Sequence, residues 1–321
     1  MALGQSAAES DQVLAKLTLR APIPKRFSSW DSVERASLDG TVLLLTSTEL
    51  KIRIQRADGS SLERKFDSRQ IETYQPVWGT PDAKEAIALV ESRQFEKAIP
   101  AIDKAIKSGI PFWQQQVAIG RLVESLDALG RTKSAATIFL NLAGSKPPYF
   151  IYADMPLCWR GEEPSRQLKE ESVKWLASND AHAQLIGASW LLFDPQNGTS
   201  AKQVLERLTA SENAAIASYA AAQLWRLTPP PDTLKRSKSW LDYRERMLLP
   251  LQLGPTEFLA DRFTRVGAKD LAIGELLRIA SMKNTRYHRA RVALESAEKL
   301  IRLKHPKEAD LVLEWLKDLE Q

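Results

Sequence analysis

The sequence predicts a mainly α-helical protein, an α-solenoid of stacked helix pairs preceded by a small SH3-like or Sm-like β domain. Three observations carry this expectation. Apolar residues alternate with period two between Val33 and Tyr74, the mark of strands with one buried and one wet face. From Thr80 onward they recur with the period of a helix instead. Blocks of small and large residues then return in the same order, with Ala98 and Ala135 standing 37 residues apart, near the length of one helix-pair repeat.

Composition sets the frame. The chain has 321 residues, 44% of them hydrophobic, enough to bury a core of about two domains. That content and a small net charge exclude disorder over the whole chain, and the single Cys158 excludes a disulfide scaffold. Only 14 glycines and no sustained heptad exclude collagen and coiled-coil classes. A net charge of +5 is far from the dense basic footprint of a dedicated nucleic-acid binder. No uninterrupted apolar run approaches the roughly 20 residues of a membrane helix.

Residues 1–15 read as a disordered N-terminus. Ser6-Ala7-Ala8 has the small-residue character of the end of a secretory signal, although Met1 to Glu9 has neither a basic start nor an apolar stretch. With a signal upstream the protein would work outside the cytoplasm, in the periplasm or envelope; without one it would be cytoplasmic.

Residues 16–79 read as the β domain. Leu50, Ile52 and Ile54 alternate with Lys51, Arg53 and Gln55, and Asp58-Gly59 leads into Leu62 to Phe66, the pattern of an antiparallel hairpin. Asp39-Gly40 gives the same turn signal before Thr41 to Thr46, and Leu17 to Arg20 and Ile71 to Tyr74 supply further strands. Lys51, Arg53, Arg64 and Lys65 are the candidate phosphate contacts of this hairpin, because neutralised charge releases counterions. The competing reading is a solvated sheet face balanced by cross-strand acids, and it is favoured by the lack of interleaved aromatics for base stacking.

Thr80-Pro81-Asp82 is a helix start, with a capping hydroxyl and proline in the first turn. Residues 80–143 hold two tetratricopeptide-like units. Ala86, Leu89, Phe95, Ala98, Ile99, Ile102 and Ala105 mark the first; Leu122, Leu126, Leu129-Gly130-Arg131, Ala135, Phe139 and Leu142 mark the second. Residues 144–166 form a connector interrupted by Pro147, Pro148, Pro156 and Pro164 yet rich in rings, of which Tyr149, Tyr152 and Trp159 are candidate binding residues. The plainer reading of those rings is that they anchor a long connection against the solenoid. Residues 167–321 continue as looser, HEAT-like helix pairs, broken at Pro229-Pro230-Pro231 and marked by recurrent tryptophans up to Trp315.

Signs of catalysis are missing from the sequence. His182, His288 and His305 lie outside the spacing of zinc or haem ligands, and there is no phosphate-binding glycine loop, nucleophile elbow or His-Glu-x-x-His helix. Cys158 sits among apolar neighbours, which favours a buried inert thiol. Neither a catalytic residue, a cofactor nor a metal is expected. The densest charge lies between Lys283 and Lys307, where Lys283, Arg286 and Arg289 have no acid at helical spacing. They would meet an acidic partner or anionic polymer, or simply form a solvated helix start.

Taken together, the Asp39-Gly40 and Asp58-Gly59 pairs, Leu129-Gly130-Arg131, Gln223-Leu224-Trp225-Arg226 and Leu253-Gly254-Pro255 give the chain an organisation that resembles a group of uncharacterised bacterial proteins. Such proteins are abundant in planctomycetes and place a small barrel before tetratricopeptide-like helices. The resemblance implies an architecture and carries no activity. The expected function is a non-catalytic protein-interaction scaffold that uses the solenoid groove, with nucleic-acid binding through the basic β domain and an enzyme with a groove site as the alternatives.

Overall fold

The computed structural model describes residues 14–20, 35–56, 58–282, 287–303 and 306–318. The Ser6-Ala7-Ala8 segment and the candidate residues Lys283 and Arg286 lie outside these, and of Arg289 only the backbone is described.

Five strands form one antiparallel sheet: β1 (Leu14–Arg20), β2 (Arg35–Leu45), β3 (Glu49–Gln55), β4 (Ser61–Asp67) and β5 (Ile71–Pro76), in the order β4-β3-β2-β1-β5. Leu14 and Ala15 therefore open a strand instead of ending a disordered tail. Asp58-Gly59 turns the β3–β4 hairpin as expected, with Gly59 at φ 82° and the Asp58 carboxylate accepting from the Ser60 amide. Asp39-Gly40 does not turn. It lies inside β2, where Gly40 pairs with Ala15 of β1. A Cβ on Gly40 would stand 2.6 Å from the Arg53 carbonyl oxygen, so glycine is required by the close approach of β3.

The sheet is not closed, because no ladder joins its edge strands β4 and β5; a barrel is not shown. Its apolar face is covered from outside. Leu50, Ile52, Val42, Leu45 and Ile71 pack with Trp113 and Phe150, both from the helical body. Tyr74 sits edge-on to Trp113 at 5.5 Å and stacks on Phe150 at 5.1 Å. A backbone hydrogen bond from Ser47 to the Lys146 carbonyl, 3.0 Å, ties the β2–β3 turn to the same body.

Helices begin at α1 (Pro81–Glu91), where the Thr80 hydroxyl caps the Ala83 amide at 3.2 Å and Pro81 takes the first position. They continue as α2 (Phe95–Lys107), α3 (Phe112–Ala128), α4 (Thr132–Ala143), α5 (Arg166–Leu176), α6 (Ala181–Leu191), α7 (Gly198–Leu208) and α8 (Ala214–Leu224). After the triple proline come α9 (Thr233–Arg246), α10 (Leu253–Arg265), α11 (Lys269–Ser281), α12 (Tyr287–Arg302) and α13 (Pro306–Asp318). Successive helices pack in adjacent pairs, a helical-repeat arrangement consistent with an α-solenoid.

The repeat is written in its turns. In α1–α2 the chain turns at Arg93, in α3–α4 at Gly130 and in α10–α11 at Gly267, with φ of 61°, 72° and 75°. Each of these amides bonds the carbonyl three residues back, and the next amide bonds the carbonyl five residues back: Gln94 to Leu89, Arg131 to Leu126, Ala268 to Phe263. This is the Schellman closure, which satisfies the last carbonyls of one helix and reverses the chain into the next. The alanine that follows five residues later, Ala98, Ala135 or Ala272, is fully buried where the paired helices touch.

The second half is locked by aromatic and ionic contacts. Trp240 of α9 stacks on Trp225 at 5.7 Å, and Phe258 of α10 meets both rings. Arg244 of α9 is buried against Glu275 of α11 and bonds Glu245, which also receives Arg278 at 2.8 Å.

Candidate functional site

The connector between α4 and α5 is largely non-helical, and its middle, residues 147–158, is mostly buried, which obliges that backbone to find polar partners from side chains. They come from α6, α8 and the turn that follows α8. Ser189 accepts from the Cys158 amide at 2.8 Å, and the Trp190 indole donates to the Pro156 carbonyl at 2.9 Å. The Tyr219 hydroxyl donates to the Tyr152 carbonyl at 3.2 Å. Arg226, buried beyond the end of α8, donates to the Ser189 carbonyl, the Gln223 amide oxygen and the Cys158 sulfur. Burial pushes the Cys158 thiol up despite the neighbouring guanidinium, and it lowers Arg226 in turn. Cys158 is thus a buried thiol that serves packing.

The connector's rings have separate fates. Tyr152 is buried in a 3-10 turn over Tyr149–Asp154, edge-on to Phe139. Its hydroxyl meets His182 Nε2 at 3.0 Å and receives the Asn213 amide at 3.3 Å. Tyr149 is half-buried against Tyr152. Trp159 is also half-buried and reaches a different place: its indole lies on Gly254 of α10, so close that a Cβ there would fall 2.3 Å from the ring.

That contact brings the connector up to the second half of the chain and encloses a half-open groove of about 960 Å³. It is lined by the connector with Trp190 of α6, by α10, α11 and α12, and by residues of the α3–α4 turn. Met155, Leu157, Trp159 and Trp190, with Leu276 and Val292, give the groove its apolar surface. The indole N–H of Trp190 is already satisfied by Pro156, so its ring offers the groove apolar surface.

The groove's charge is opposite in sign to that of the chain. Asp127, Glu162, Glu163, Glu257 and Asp261 line it against only Arg160 and Lys299. Asp261 pairs with Arg265 at 2.8 Å, whereas Glu162 and Glu163 are exposed and have no salt-bridge partner among the described residues. These carboxylates are separated by up to 134 positions in the chain and come together only in the folded structure. The one local signal is Glu162-Glu163 following the ring of Trp159.

The basic residues of the sheet are not gathered into a free patch. Lys51, Arg53 and Lys65 share a face, but Lys51 and Arg53 both pair with Glu63, at 2.6 and 2.9 Å, and Lys65 pairs with Glu49 at 3.1 Å. Lys51 first and Arg53 second hold the Glu63 carboxyl below its usual range. Arg64 stands opposite Ile52 in the ladder and so belongs to the other face, apart from these three.

Among the described residues no group of three or more His, Cys, Asp or Glu side chains could hold a metal ion, and no helix is long and apolar enough to cross a membrane. No family model matches the chain, and neither a curated protein nor a solved structure shows significant similarity to it.

Proposed function

We propose that this protein is a non-catalytic interaction scaffold whose helical-repeat groove receives a segment of a partner protein. The observation that carries this reading is the groove itself, half-open and lined by elements from three parts of the chain, which brings two half-buried tryptophan rings and a cluster of charge into one concavity. A rim of charge around apolar anchors is the anatomy of a protein-docking surface. The paired cations of the sheet supply no comparable unbalanced charge, so nucleic-acid binding through the β domain draws less support.

Crosslinking mass spectrometry with a photoreactive group at Ser296 or Thr264, both lining the groove, tests the reading. Crosslinks to one protein, lost when Trp190 is replaced by Ala, are expected. Turnover of a small substrate in the groove, or partner crosslinks confined to other surfaces, would overturn it.

A further inference from the structure

We infer that the groove selects a cationic, apolar-anchored peptide segment, one bearing Lys or Arg beside Leu- or Phe-sized side chains. The inference rests on the scaffold reading and adds the chemistry of the partner. Five carboxylates line this one concavity against Arg160 and Lys299, with Arg265 beside it taken up by Asp261, so an acid excess is local to the groove in a chain whose net charge is +5. Glu162 and Glu163 matter most, being exposed, adjacent and without a salt-bridge partner among the described residues. A partner that covers them with apolar or acidic groups would strip their water without compensation, whereas a Lys or Arg replaces that water with a charge-assisted hydrogen bond. The apolar half of the recognition comes from Trp159, Trp190, Leu276 and Val292, all lining the groove, where an inserted aliphatic or aromatic side chain is shielded from solvent.

The probe is a fluorescein-labelled amphipathic peptide of Lys and Leu at helical spacing, titrated with the full chain and read by fluorescence polarisation. Its Glu/Leu counterpart has the same apolar content, and its Lys/Ser counterpart the same charge. The Lys/Leu peptide should bind at least about tenfold more tightly than either, and less tightly as salt is raised. The double variant Glu162→Gln/Glu163→Gln should weaken it about tenfold or more, and Glu91→Gln/Glu212→Gln, which removes the same charge from exposed positions outside the groove, should leave it unchanged. Equal loss in the two double variants, or equal binding of the Lys/Ser peptide, would reduce the effect to bulk charge and overturn the inference. Binding of the Glu/Leu peptide as tightly as the Lys/Leu one would overturn it as well. The scaffold reading fails on a separate result: crosslinks mapping to a neutral or acidic partner segment inside the groove would reject the cationic chemistry alone, and crosslinks outside the groove would reject both.

Discussion

His182 shows how burial turns one side chain into a pH-dependent contribution. Removal from water holds its imidazole below the ordinary value, with Asp180 at 3.5 Å opposing the shift. Because the folded pKa is depressed, the stability tied to the neutral ring is present above the unfolded value of about 6.5 and is lost as pH falls through the folded one. Urea unfolding followed from neutral to mildly acid pH should show a steeper loss for the native chain than for His182→Gln; parallel profiles would remove His182 from the account. Gly254 makes a second residue-scale case. The Trp159 ring occupies the space a Cβ would need, so Gly254→Ala should displace the indole and shift the tryptophan emission while the far-ultraviolet circular dichroism stays helical. An unchanged spectrum would show that the ring does not rest there.

At the scale of elements, the three Schellman turns differ in one respect that carries an energy. Gly130 and Gly267 occupy the left-handed region freely, while Arg93 holds φ 61° with a side chain. That conformation costs a non-glycine residue about 1–2 kcal/mol, partly offset by the greater freedom glycine has in the unfolded chain. Arg93→Gly should therefore stabilise the protein by up to about 1 kcal/mol, and Gly267→Ala should destabilise it by about 1 kcal/mol, measured as shifts in the denaturant midpoint. Opposite signs at both positions would mean that the turn geometry is set by something other than the backbone preference.

At the scale of the molecule, the sheet depends on the helices. Its core contains Trp113 of α3, buried at 6% exposure, and its open face is covered by the body rather than by closure of the strands. Trp113→Ala should cost about 3–5 kcal/mol, and amide exchange should rise in β3 and β5 along with α3. Exchange confined to α3 would show that the sheet folds independently. For the same reason a fragment of residues 16–79 loses the rings that cover its apolar face, and the simple division into separate β and α units understates their coupling.

Much of this architecture was legible from the sequence because it follows from local chemistry. Alternation at Leu50 to Gln55 marked a strand, Thr80-Pro81 a helix start, and Gly130 with Ala135 a second repeat unit, since each signal lies within a few residues of its effect. Gly40 misled because glycine serves both turns and close approaches, and only the neighbouring carbonyl of Arg53 tells which. The groove was beyond local reading for the same physical reason. Glu162 and Asp261 stand 99 positions apart in the chain and line one groove because Ser189, Trp190 and Arg226 fasten the connector where Trp159 can reach Gly254. Residue periodicity determined which segments became strands and helices. Long-range packing alone decided that the sheet stays open against Trp113 and that a chain with a net positive charge presents an acidic groove, because the energy of those contacts belongs to pairs of residues distant in the chain.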